Sequence, residues 1–293
     1  MPTRRDTLKW IAGLPAAAIA RVPGGEPAAQ RGLRPLVEAT DLPSPIFPLR
    51  RVQGLRYLVD AQSRPFFLQG DSPWSLLVQL SRSEVREYLV DRQRRGFSAL
   101  LVSLLEHKYS NDPPRNSFGD APFLVPGDFS RCNPAYFDHA AWVIDQAAKH
   151  GQLVLLAVSY IGCCGDDGWY AEMVSSGYEN LRGYGRFLAT RFSHLKNIVW
   201  VHGGDGNPAD PAVVREIALG IREVDLTGLH TAHTAPGYQA LDVYGDPPWL
   251  DVNNIYTYDP VRPIALRAYG RPDARPFFLL ESEYEGENRR APL

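Results

Sequence analysis

Two carboxylates in this 293-residue chain stand where short apolar runs stop. Asp205 follows Ile198 to His202 and the pair Gly203-Gly204, and Glu281 follows Pro276-Phe277-Phe278-Leu279-Leu280. An apolar run of that length, bounded by glycine or by charge, reads as a strand buried on both faces, as in a parallel sheet. The C-terminal ends of such strands are where loops converge and reacting groups are held. Two carboxylates facing each other across a scissile bond meet the requirement of glycoside hydrolysis. One donates a proton to the leaving oxygen, and the other acts as nucleophile or positions water. Asp205 and Glu281 are the candidate catalytic pair. Glu283, Glu285 and Glu287 follow Glu281 at alternate positions, and Glu285 is the alternative to Glu281 because it stands in Tyr284-Glu285-Gly286.

The elements that position the pair alternate along the chain. Tyr57 to Val59 and Pro65 to Gly70 flank the turn-rich stretch Asp60 to Arg64, which predicts a hairpin leading into strand 1. Further strands are expected at Ala99–Leu105, Leu153–Ser159, Ile198–His202, Leu229–Ala235, Val252–Tyr258 and Pro276–Leu280. Helical periodicity predicts helices over Ser83–Arg95, Pro134–Lys149, Tyr178–Phe192, Pro211–Val224 and Val261–Tyr269, with Ser81 or Ser83, Asn133 and Asp210 as caps. Strands separated by helix-length segments imply right-handed crossovers and a parallel sheet. The fold class is α/β, and the order is that of a (β/α)8 TIM barrel counted through seven strands, with strand 8 missing. In such a barrel the strands carrying Asp205 and Glu281 lie across the pore from each other.

Composition sets the class. The chain is 44% hydrophobic and 22% charged with a net charge of −2, so it buries a full core, and no basic block points to nucleic acid. Thr3-Arg4-Arg5-Asp6-Thr7-Leu8-Lys9 matches the twin-arginine export pattern except at Thr7, and the apolar stretch Trp10 to Ala20 is too short to span a bilayer. Residues 1–34 are accordingly expected to be signal and linker and residues 35–293 the barrel. The expected location is periplasmic or extracellular, with no stable membrane insertion after cleavage. Cys132, Cys163 and Cys164 have no metal-ligand spacing. A bridge from Cys132 to one of the adjacent pair and free thiols are equally compatible with the sequence.

The other strand ends carry Asp71, Trp74, Glu106, His107, Asn254 and Tyr256, polar or aromatic groups suited to sugar hydroxyls and ring faces. With His202 and Glu285 these are the candidate substrate contacts, and Trp169 and Trp249 are further stacking surfaces. A rival chemistry uses His202, His230 and His233 with Asp205 as a metal centre. His230 and His233 are three apart, so on one strand they face opposite ways, and no metal or other cofactor is assigned.

Several motifs together resemble the apiosidase-like glycoside hydrolases. They are Gln69-Gly70-Asp71-Ser72-Pro73-Trp74, Leu105-Glu106-His107-Lys108, Asn111-Asp112-Pro113-Pro114, Val201-His202-Gly203-Gly204-Asp205, Asp251-Val252-Asn253-Asn254, Leu280-Glu281-Ser282 and Tyr284-Glu285-Gly286. The resemblance spans about Pro65 to Glu287. It implies a TIM barrel acting on side chains of plant polysaccharides, with Asp205 as acid/base and Glu281 as nucleophile. Members of the family continue through strand 8 into a small β-sandwich, so the resemblance also implies a chain truncated after strand 7. A non-catalytic carbohydrate-binding or inert barrel is the alternative.

Overall fold

A computed structural model of the protein describes residues 44–163, 167–273 and 275–284. The expected signal and linker, Cys164 and the alternative carboxylates Glu285 and Glu287 lie outside the described residues.

Seven parallel strands alternate with helices. They are β1 (Gly70–Asp71), β2 (Ala99–Ser103), β3 (Leu153–Ala157), β4 (Ile198–Gly203), β5 (Leu229–His233), β6 (Asn253–Tyr256) and β7 (Phe277–Glu281). β1 to β5 pair in sequence order in one sheet, and β6 pairs with β7 in a second. The join between the sheets starts with two backbone bonds, Asp251 and Val252 N–H to the carbonyl of His230. Side chains carry it further: the Thr231 hydroxyl donates to the Val252 carbonyl and the Asn254 amide to the Ala232 carbonyl, each at 2.8 Å.

Alternation along the strands sorts the core into two layers. Leu101, Leu155, Val199, Val201, Leu229 and Val252 form one cluster with Trp74 and Leu280, whereas Leu100, Val102, Val154, Leu156 and Trp200 pack against the helices. This is the pattern of a barrel whose pore is filled by one set of side chains and whose outer wall is covered by the other.

Beyond the single turn Leu76–Gln79, the helices among the described residues are α1 (Arg82–Arg94), α2 (Pro134–Lys149), α3 (Tyr170–Arg191), α4 (Ala212–Arg222), α5 (Ala240–Tyr244) and α6 (Val261–Tyr269). Ser81 caps α1 in a reciprocal box with Glu84, and Asn133 caps α2 with Pro134 following. Asp210 accepts from the Ala212 N–H at 2.9 Å, so it caps α4 from one residue before Pro211. Helix α3 begins eight residues before the Tyr178 expected from periodicity. Gly177, at φ 76°, breaks its helical run into two pieces, and only the second has the continuous apolar stripe.

Two other expectations change. The partner of Leu58–Val59 is Arg50–Arg51, and the turn at Asp60–Arg64 closes only a single bridge, Val59 to Pro65. Strand 1 is confined to Gly70–Asp71, with Phe67 78% exposed before it. Helix α5 has too few residues to show a period. Among the described residues no helix is long and apolar enough to cross a membrane.

Candidate active site

The register between β4 and β5 sets Gly203 opposite His233. His233 shares its strand face with Leu229, whose side chain points into the pore cluster, so its ring enters the barrel mouth. Gly203 has φ +79°, and a β-carbon there would lie 2.4 Å from the His233 carbonyl oxygen. One at Gly204 would lie 2.7 Å from the Ile161 amide nitrogen. Only glycine fits either position, and the pair lets the chain leave β4 tightly packed and present Asp205.

Asp205 and Glu281 do converge. One carboxylate oxygen of each, together with a ring nitrogen of His233, all lie within 4.8 Å of one another. His233 Nε2 is 3.1 Å from Glu281 Oε2 and 3.9 Å from Asp205 Oδ1. Glu281 is buried and Asp205 half-buried. The Tyr160 hydroxyl donates to Asp205 Oδ2 at 3.3 Å, and the Tyr284 hydroxyl donates to Glu281 Oε1 at 2.6 Å. Trp74 completes the wall. Its ring stacks on His233 with centroids 6.1 Å apart, and its indole N–H donates to the Tyr284 oxygen at 2.8 Å.

Tyr256 ends β6 with its ring 5.0 Å from His233. Burial pushes its phenol far above the ordinary range, helped by Tyr258 and by the charges of Glu281 and Asp205. Tyr160 is pushed up in the same way, first by burial and then by Asp205. Both phenols are therefore kept protonated through the neutral range, and that of Tyr160 donates to Asp205.

Of the residues expected at the site, the structure gathers Asp205, Glu281, Trp74 and Tyr256. Asp71, Glu106, His107, His202 and Asn254 have partners of their own, and Glu285 lies outside the described residues. Asp71 accepts from Tyr88 and Arg92 of α1 at 2.7 and 2.8 Å, which ties β1 to its helix. Glu106 Oε1 takes the backbone N–H groups of His107, Lys108 and Tyr109, and Oε2 takes the Ser75 hydroxyl at 2.6 Å. A carboxylate bonded to four donors organises its loop. His107 sets its ring edge on Trp169 and lies 3.9 Å from Glu172.

His202 shares the outer strand face with Trp200 and bonds His230 between ring nitrogens at 2.9 Å. Burial pulls its pKa down to about 3, with Arg222 adding to the effect, and it carries His230 well below the usual range too. His202 and His230 are thus kept apart from Asp205, and the three-histidine cluster does not form. Trp169 and Trp249 are buried among aromatic neighbours. Asn254 serves the join between the sheets. Cys132 is a free thiol and Cys163 donates to Asp167 at 3.0 Å.

Three residues at the site, Tyr160, His233 and Tyr284, were not singled out as contacts, and Tyr160 directly follows the expected strand Leu153–Ser159. His233 carries a readable signal, because it stands two and four residues from Thr231 and Leu229 on the inward face. Tyr284 follows the last strand, where no periodicity applies.

A family model described as apiosidase-like, catalytic domain, matches residues 52–292. Among solved structures, a glycoside hydrolase family 5 protein from Bacteroides vulgatus superposes with a TM-score of 0.69 at 23% identity, covering 81% of this chain and 54% of that one. A second glycoside hydrolase gives 0.68 at 25% identity, covering 81% and 56%. An endo-1,4-beta-mannanase from Rhizomucor miehei gives 0.59 at 14% identity, covering 82% and 83%. The likenesses at 23% and 14% identity are of fold. The chain spans about half the length of the first two of these proteins. No curated sequence matches it significantly.

Proposed function

Because the chain belongs to the apiosidase-like family, we propose that it is a glycoside hydrolase in which Asp205 is the acid/base and Glu281 the nucleophile. The observation that carries the reading is the approach of one oxygen of each carboxyl to within 4.8 Å. That closest approach of single oxygens is compatible with the retaining arrangement, in which the carboxyl groups stand roughly 5 to 5.5 Å apart. Glu281 attacks the anomeric carbon and displaces the leaving oxygen, which takes the proton of Asp205. The glycosyl ester is then cleaved by water, which gives its proton back to Asp205. Trp74 offers a ring face beside the pair, and Tyr160 and Tyr256 supply donors.

The substrate we assign is a side chain of a plant polysaccharide, met outside the cytoplasm. The family resemblance supports the first part, and the twin-arginine pattern at Arg4-Arg5 supports the second. The test is turnover of pectin-derived oligosaccharides, read as new reducing ends and released sugar, in the wild-type protein and in Asp205→Asn and Glu281→Gln. Both amide variants should lose essentially all turnover with unchanged folding; substantial residual turnover in both overturns the assignment. Sugar binding without turnover in the wild type would favour a binding module. The anomer seen first by proton NMR decides retention.

A second reading has one specific observation behind it. His233 with the two carboxylates is a three-ligand set that a divalent cation could occupy. Loss of turnover on chelation, with recovery on adding zinc, would favour it over the metal-free mechanism.

A further inference from the structure

Glu281 must keep one oxygen fixed while the other reaches the anomeric carbon, and the chain supplies that restraint from an unexpected direction. Tyr284 lies three residues after Glu281, and the intervening turn brings its phenol back to Oε1 at 2.6 Å. This is the length of a hydrogen bond from a hydroxyl to an ionised carboxylate. The same phenol oxygen lies 2.8 Å from Trp74 Nε1. An indole N–H is a donor only. The phenol therefore accepts from Trp74, and its single proton is directed at Glu281.

The relay crosses the barrel at a particular place. Trp74 follows β1 and Glu281 ends β7, and among the described residues these two strands are the outer edges of their sheets, with no ladder between them. Ser72 and the segment Leu279 to Tyr284 line a cleft at this seam. Among the described residues no backbone ladder pairs the end of β7 on that side, and a polar side-chain relay spans it.

We propose that Tyr284 is the positioning residue of Glu281, its orientation set by Trp74, so that Oε1 is held and the Oε2 side faces Asp205. The inference rests on Glu281 being the nucleophile. A donor to an ionised carboxylate stabilises the charged form. Removing only that hydroxyl therefore makes Glu281 easier to protonate, an effect that loss of packing does not produce.

The experiment follows the carbon resonance of Glu281 through a pH titration, with a chelator present throughout so that no cation occupies the carboxylates, of the full chain carrying 13C at the glutamate side-chain carboxyls. The signal is assigned by its disappearance in Glu281→Gln. In Tyr284→Phe the midpoint should rise by roughly one pH unit, and in Trp74→Phe it should rise by less, since the phenol keeps its proton but loses its direction. An unmoved midpoint in a folded Tyr284→Phe protein overturns the proposal. If that variant does not fold, an unmoved midpoint in Trp74→Phe does so. The titration needs no substrate. Turnover surviving in Glu281→Gln would defeat the nucleophile assignment separately, while the relay would stand or fall on the titration.

Discussion

His233 Nε2 lies 3.1 Å from Glu281 Oε2 and 3.9 Å from Asp205 Oδ1, so one ring from β5 spans both members of the carboxylate pair. Its own position is fixed by stacking on Trp74 and by the ring of Tyr256. Replacing it with asparagine removes the ring that sets the two carboxyls apart. We expect His233→Asn to lower kcat about tenfold or more with a smaller change in KM, measured by steady-state kinetics on any oligosaccharide the wild type cleaves.

Glu106 predicts the opposite separation of effects. Its carboxylate satisfies three backbone N–H groups and a hydroxyl in a buried setting. Glu106→Ala leaves those donors without partners, at a cost of about 2 kcal/mol or more. In a protein of this size that lowers the thermal midpoint by about 5 °C or more. Calorimetry of Glu106→Ala beside Glu106→Gln, which keeps one acceptor oxygen, should rank the glutamine variant closer to wild type.

The contact between α3 and α4 supplies a third test. A β-carbon at Gly185 would meet the Ile217 carbonyl oxygen at 2.3 Å, and one at Gly220 would meet that of Arg182 at 2.1 Å. Both obstacles are backbone, so the helices must separate. Gly185→Ala and Gly220→Ala should each destabilise by about 1–3 kcal/mol. At Gly183, on the same helix, a β-carbon meets only the Arg186 guanidinium at 3.8 Å. Gly183→Ala should be neutral or raise stability by up to about 1 kcal/mol. Denaturant midpoints of the three variants check the contrast.

The buried histidine pair makes stability depend on pH. His202 and His230 are held neutral by burial and by Arg222, with folded pKa values depressed below the ordinary value, in the case of His202 to about 3. The unfolded chain binds protons that the folded one does not, so stability is full above about pH 6.5 and falls as the pH drops toward 3. The slope is about 1.4 kcal/mol per pH unit for each histidine. Burial raises the carboxyl of the neighbouring Asp251, which acts in the opposite sense at lower pH. Thermal midpoints between pH 7 and 4 should fall steadily. A flat profile would show that the pair is already protonated or solvated in the native state.

Much of the barrel was legible because its strands are buried on both faces, as Leu100 to Val102 and Val199 to Val201 are. Such runs betray themselves without any partner. The two carboxylates were legible for the same reason, since each stops an apolar run. What the residues did not reveal is which way a strand-end side chain points. His202 and His233 are the same residue type at the ends of neighbouring strands, yet one bonds His230 in the outer layer and the other meets Glu281 in the mouth. Period-two alternation separates them only once one inward residue is known. Glu106 shows another side of this, because a carboxylate at a strand end serves backbone donors as readily as a ligand. Tyr284 lay beyond reach, since its partners Trp74 and Glu281 are brought together only by the tertiary fold, across the seam between β1 and β7.

Asp205 leaves the five-stranded sheet and Glu281 ends the two-stranded one, and past the two backbone bonds at the start of β6 the sheets are coupled through Thr231 and Asn254. The two carboxylates of the proposed mechanism thus stand on separate sheets joined by few hydrogen bonds, and the span between them is the setting of a joint. A slip of little more than an ångström there covers the difference between a carboxyl separation of roughly 5 Å and one of 6.5 Å, which is the difference between retention and inversion. Under the proposed mechanism, the stereochemistry of the product would depend in part on a threonine hydroxyl and an asparagine amide whose bonds are made to the neighbouring backbone.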